Sequence, residues 1–579
     1  MARAILARLL LRAVFVPRLT RFSLLGLLTV ALLTAGWLND ARAEKKTVCT
    51  ITVNSADEKE TFRRYLPADE FDFVELVERG RPDWLSSACR KGVRCDLLVI
   101  SGHFDDGTEF YSGRPDARES LPVDELQRAS CSNSCPGLFA QLKEVYLFGC
   151  NTLDTGARRS ASGEITRSLL RAGYSPADVE KLSSALNERY GESNRDRMRQ
   201  IFRDVPVIYG FSAKAPLGAS AGPMLARYFQ SGSGDEIGSG RASAKLVDTF
   251  AANSMTVTSG LNDAEPQAGF RRDVCRLVDE RSSAAQKLDF VHSFMSREMT
   301  EVRMFLDYIE RYAATLSDSD RQTPAVSRAL AEIAADKSAR ARYLEFARGV
   351  DEPAVRERML KVAHDLGWLS AEELRTELMR MIGERIASRS VGPADVDLVC
   401  ILNRQGALGK ELHRLQLSAE QAEQAPEAAV LACLGSAEGH RRMLRALTSP
   451  RDEEVRIAQV YFRHHPISDP DELRSVATSI ARMNGSEAQV HALDTLATYA
   501  LSDRESLEAL SRLLLAATSV NVQRAIAGVL VRADYASIAN PEFLSALRRH
   551  RVKSPDGDDL VDVLIRRLQS AIKSPKRGV

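Results

Sequence analysis

Val145-Tyr146-Leu147-Phe148-Gly149-Cys150-Asn151-Thr152 is the stretch on which the reading of the first half of the chain turns. Four apolar residues in a row, three of them β-branched or aromatic, predict a buried strand. The strand stops at a glycine and a cysteine. A thiol at the C-terminal end of a buried strand stands on the sheet rim where open α/β folds place their ligands. Leu97-Leu98-Val99-Ile100-Ser101-Gly102-His103 is a second stretch of the same kind, and it ends in Gly-His. If the two strands are parallel neighbours, Cys150 and His103 emerge on one edge. A thiol beside an imidazole is the minimum machinery for a thiolate nucleophile.

Working outward, strands and helices alternate. Strands are expected over 47–53, 71–77, 97–101, 145–148 and 205–211. Helices are expected over 57–65 with Ser55 as N-cap, over 83–89, near 123–127, over 165–172 and over 176–199. Such alternation implies a largely parallel sheet with helices on both faces. Pro206 is tolerable near a strand start.

The Gly-His strand followed by a later Gly-Cys strand resembles the caspase-like (clan CD) cysteine peptidases, a group that includes the CHAT domains and separases. Phe148-Gly149-Cys150-Asn151-Thr152 is similar to their nucleophile strand, and Ser101-Gly102-His103 to the CHAT histidine strand. Residues 212–229 resemble the strand and helix that follow the nucleophile. The resemblance covers about residues 45–230. It implies an α/β fold, a caspase-like three-layer sandwich with a mainly parallel sheet. It also implies amide hydrolysis, with Cys150 as nucleophile and His103 as general base and acid. Phe104 stands where the family usually has glycine, and its bulk is expected to narrow the cleft. The backbone around Gly102, Phe104 and Gly149 is the expected oxyanion-binding region. Asp105, Asp106 and Asp154, together with Glu109, place acids near the expected cleft. They either line a pocket for a basic side chain or are solvated loop acids. No cofactor and no metal is expected.

The first 43 residues read as a bacterial Sec signal peptide. Arg3, Arg8, Arg12, Arg18 and Arg21 precede an uncharged apolar run over 22–38, and Ala41-Arg42-Ala43 supplies the small-x-small cleavage pattern. An uncleaved signal anchor is the alternative. Cleavage would remove six arginines and one aspartate, moving the formal net charge from +1 to −4. That balance gives no electrostatic argument for nucleic acid. The expected location is exported, periplasmic or secreted, with no stable membrane insertion after cleavage.

All nine cysteines follow the signal. With Cys150 reserved, eight remain, enough for four bridges. Cys89 with Cys95, Cys131 with Cys135, and Cys400 with Cys433 are the local pairings. Cys131-x-x-x-Cys135 could also be half of a zinc site or a redox pair, although no companion ligands follow at zinc spacing.

Near residue 270 the composition changes to Ala, Leu, Arg and Glu at helical spacing. Similar motifs recur around Val355, Val455, Val490 and Val522; the last two intervals are 35 and 32 residues. This resembles a degenerate HEAT-like solenoid of two-helix units. The expected divisions are 1–43 signal, 44–265 α/β domain, 270–572 helical repeats and a tail over 573–579. Two functions remain open. One is an exported cysteine endopeptidase acting on a protein or peptide, with a further partner on the repeats. The other is an inactive caspase-like and HEAT-like scaffold.

Overall fold

The computed structural model describes residues 45–76, 84–104, 107–113, 119–132, 135–161, 163–408, 417–484, 487–534, 537–553 and 559–573. The signal segment, Asp105, Asp106 and residues 574–579 lie outside the described residues. The chain divides into two compact units. Segments 127–132 and 155–200 belong to the second, together with everything from Leu261 onward.

The first unit is built on strands β1 (Lys46–Thr52), β2 (Phe71–Glu75), β3 (Leu97–Ser101), β4 (Glu109–Tyr111), β5 (Ser120–Pro122), β6 (Glu144–Phe148), β7 (Val207–Phe211) and β8 (Met255–Thr258). Six of them form one sheet in the order β2-β1-β3-β6-β7-β8. All neighbours run parallel except the antiparallel β7–β8 pair. β4 and β5 form a separate antiparallel hairpin.

Both faces of the central strands are buried, as parallel strands with helical crossovers require. On one face Val48, Leu97, Val99, Tyr146, Phe148 and Tyr209 pack with Phe62, Leu225, Tyr228 and Leu246. Those four come from helices Asp57–Tyr65, Gly218–Tyr228 and Ala244–Thr249. The alternate residues Cys49, Leu98, Ile100, Val145, Leu147 and Ile208 are equally buried on the other face. Burial and the neighbouring Glu144 push the Tyr146 phenol well above its ordinary value, and its hydroxyl donates to Glu144 at 2.6 Å.

Several local expectations change. The Asp57–Tyr65 helix starts after Ala56, which gives no side-chain cap. Ser55 instead forms a short turn, its Oγ accepting from Asp57 N and donating to Asp57 Oδ2. The single helix expected over 176–199 is two, Pro176–Tyr190 and Asn194–Ile201. They break at Gly191, where a Cβ would sit 2.4 Å from Asn187 O. Residues 212–217 form no strand; the chain goes from β7 to helix Gly218–Tyr228.

Two local cysteine pairings are overturned. The bridges are Cys49–Cys95, Cys89–Cys135, Cys131–Cys275 and Cys400–Cys433. Only the last was among the local pairings. Cys49 lies on β1, and Cys95 leads into the adjacent β3, so strand pairing brings them together. Cys131 and Cys135 bond to different partners, which removes both the zinc and the redox-pair reading of that motif. Four bridges fit an exported chain. No helix among the described residues is long and apolar enough to cross a membrane.

The second unit is helical. Toward its C-terminus, helices Asp452–His464, Glu487–Leu496, Val520–Arg532 and Leu560–Lys573 each pack on the next. Helices Pro470–Ile480, Arg504–Ala516 and Pro541–His550 form the alternate series. Equivalent residues do equivalent work in successive units. Gln489, fully buried, donates from Nε2 to the carbonyls of Ile480 and Met483. Gln523 does the same to Leu514 and Ala517, the same nine and six residues back. Each glutamine thereby satisfies the orphan carbonyls that end the preceding helix. Gln523 also bonds His550 O and Val552 N.

Replacing either glutamine by leucine strands these acceptors in the core. Gln489→Leu is expected to lower unfolding free energy by about 1–3 kcal/mol. Gln523→Leu should cost more, because it breaks two further bonds. Urea denaturation of both variants measures the difference.

Candidate functional site

The site follows from strand register. Ser101 of β3 pairs with Thr52 of β1 on one side and with Phe148 of β6 on the other. Two residues past that last paired rung stand Asn54, His103 and Cys150, at one edge of the sheet; there His103 pairs with Tyr111 in an antiparallel bridge. β1 and β2 lie on one side of β3 and the later strands on the other, so the strand order reverses here. The carboxyl ends of strands at such a reversal are where open α/β sheets bind ligands. Neighbouring strands are about 4.8 Å apart.

Cys150 is the one free cysteine and is half-buried. The chain turns sharply after it. Asn151 has φ 57°, its N–H donates to Ala213 O at 2.7 Å, and its carbonyl accepts from Asp154 N. The Thr152 hydroxyl locks the turn, donating to Gly149 O and accepting from Phe211 N.

His103 is held by a two-way backbone bridge to Tyr111, both bonds 2.9 Å long. Its ring lies 5.3 Å from the Tyr111 ring. Its Nε2 is 3.2 Å from Asn54 Nδ2, and Asn54 Oδ1 accepts from Gly113 N at 3.1 Å. Gly113 thus fixes the amide orientation, because a flipped amide would set two donors face to face. A donor then points at Nε2, so Nε2 accepts and the neutral ring carries its proton on Nδ1. A Cβ on Gly113 would lie 2.9 Å from Nε2. Among the described residues, no hydrogen bond joins the Cys150 thiol to this ring.

Phe104 is not in the cleft. It is fully buried, with its ring 4.6 Å from that of Phe110. The expectation that its bulk narrows the site is corrected: the β4 strand covers it. Phe104 also explains the glycine before Cys150. A Cβ at Gly149 would fall 2.8 Å from Phe104 Cβ and 3.0 Å from Gly102 O. The Gly102 N–H is engaged by Phe148 O. Of the expected pocket acids, Asp154 lies four residues past Cys150 in the locked turn, and Asp105 and Asp106 fall outside the described residues.

Asn54 is the residue that the sequence reading missed. Its signal was its place: it ends the first strand, as His103 ends the third. Glu58, on the helix that follows, is buried; burial pushes its carboxyl above the ordinary range, while Ser101 and the Glu58 backbone oppose the shift. The sequence matches no protein-family model and no curated protein.

Gly149→Ala is expected to destabilise the chain by about 1–3 kcal/mol through this close approach. Phe104→Gly in the same chain removes the opposing Cβ and should recover part of the loss. A double-mutant cycle by thermal denaturation measures that coupling.

Proposed function

We propose that the first unit is a caspase-like cysteine peptidase acting through Cys150 and His103, on a chain exported to the periplasm or beyond. The placement of Asn54, His103 and Cys150 just past the carboxyl ends of three adjacent parallel strands carries this reading. A free thiol in a chain whose eight other cysteines are bridged supports it.

In the first step His103 takes the thiol proton, and the thiolate attacks the scissile carbonyl carbon. Backbone N–H groups of Cys150 and Phe104 hold the oxyanion, each worth about 3 kcal/mol of barrier in other hydrolases. Collapse breaks the C–N bond as His103 gives the proton to the leaving amine. Water, deprotonated by His103, then cleaves the thioester and restores the thiol. Forming the imidazolium puts a proton on both ring nitrogens. The Asn54 amide must therefore turn its oxygen toward Nε2, releasing Gly113 N–H. The second unit, read as HEAT-like repeats, would hold the protein substrate or a partner. Acids such as Asp154 near the nucleophile suit a basic residue before the cut.

The resting geometry also favours a second reading. An Asn54 donor facing Nε2 opposes the imidazolium, which suits an inactive scaffold of the same fold.

Alkylation separates the two. The oxidised chain, treated with iodoacetamide from about pH 5 to 9, is expected to gain one label, on Cys150, quickly below the ordinary thiol pKa of about 8.5. His103→Ala should slow it. Mass spectrometry of the intact chain reads both rates. Labelling that is slow and indifferent to His103 favours the scaffold. Asn54→Asp presents oxygen to Nε2 and still accepts from Gly113. It is expected to speed labelling at low pH, read by the same mass spectrometry.

A further inference from the structure

Helices Pro393–Arg404, Ala425–Cys433 and Asp452–His464 pack on one another in the second unit. Cys433 follows Cys400 by 33 residues, and His465 follows Cys433 by 32. These intervals match the repeat period, so the three residues occupy the same place near the C-terminal ends of three consecutive stacked helices. One donor atom from each lies within 4.8 Å of the others. Both cysteines are buried and His465 is half-buried.

We propose that Cys400, Cys433 and His465 form a redox-gated site for a zinc-class divalent cation, closed while the Cys400–Cys433 bridge stands. A phosphine and one water convert the disulfide into two thiols, the water oxygen going to the phosphine oxide and its two protons to the sulfurs; a dithiol does the same by exchange, giving up its own two protons and ending as its disulfide. The cation then displaces both thiol protons and joins two sulfurs and one imidazole nitrogen, leaving a fourth position for water. Two thiolates and one imidazole are a borderline-soft donor set that suits Zn2+ or Co2+ better than Mg2+ or Ca2+. Two thiolates also cancel the charge of the cation, so burial of the group is not opposed by net charge.

The imidazole is prepared for this. His465 stacks on Tyr461, ring centroids 5.0 Å apart at 17°. Tyr461 is fixed in turn by His440, whose Nδ1 lies 2.9 Å from the phenol oxygen. The placement also accounts for a histidine beside a disulfide inside a helical stack, where the packing alone asks for neither. The site stands apart from the peptidase reading.

The test uses the full chain, refolded with a phosphine reductant and titrated with Zn2+. Cysteines are then pulse-alkylated and quantified one by one by mass spectrometry. Zn2+ is expected to protect Cys400 and Cys433 together, with one ion per chain, and a chelator to reverse it. His465→Gln keeps both cysteines and is expected to raise the half-protecting Zn2+ concentration about tenfold or more. Its fold is checked by circular dichroism. Co2+ in place of Zn2+ should give thiolate-to-metal absorption that disappears in Cys433→Ser. Equal labelling of all cysteines with and without Zn2+, or protection that His465→Gln leaves unchanged, overturns the proposal. So does a reduced chain that binds no metal.

Discussion

Hydrogen-bonded register between β1, β3 and β6 is the constraint on which the site depends. Each strand is short, and none of the three side chains at the rim touches its neighbours in sequence. They become neighbours because Thr52, Ser101 and Phe148 share a rung. A slip of one residue would turn one of them to the opposite face of the sheet. Register is secured by burial on both faces, since β3 and β6 are buried at every position and leave no face to expose. The glycines at 102 and 149 then let the hairpin and Phe104 close over the strand ends.

The rim also shows how a resting state can be set by one amide. Asn54 is held by Gly113, and so its donor meets the imidazole. The chemistry proposed for Cys150 would need the reverse arrangement. In the hairpin of β4 and β5, β4 contributes Tyr111 to the backbone bridge and Gly113 follows it, before β5. The position of the hairpin is thus coupled to the state of the histidine.

The helical unit works by repetition instead of by a single core. Two successive units present a buried glutamine, Gln489 and Gln523, to the carbonyls of the helix before it, and adjacent units share apolar surface. Such arrays add stability by nearest-neighbour contacts. They also stack equivalent positions into ladders, and a ladder can hold chemistry as readily as hydrophobic contacts. Cys400, Cys433 and His465 form one such ladder.

Local sequence determined most elements. Runs such as 97–100 and 145–148 are apolar throughout, and a buried strand accommodates that pattern. It also flagged His103 and Cys150, because a glycine and a reactive side chain at a strand end are visible without any partner. The helical repeat was legible because its period is written along the chain. Tertiary structure decided what depends on pairing. Asn54 joined the site through register, which no local window contains. Cys49–Cys95, Cys89–Cys135 and Cys131–Cys275 bridge separations of 46, 46 and 144 residues, so proximity in sequence gave the wrong partners. Cys400–Cys433 was legible because its separation equals one repeat. Phe104 reads as an obstruction in sequence and is a buried core residue in the fold, since only the hairpin that covers it determines where its ring goes.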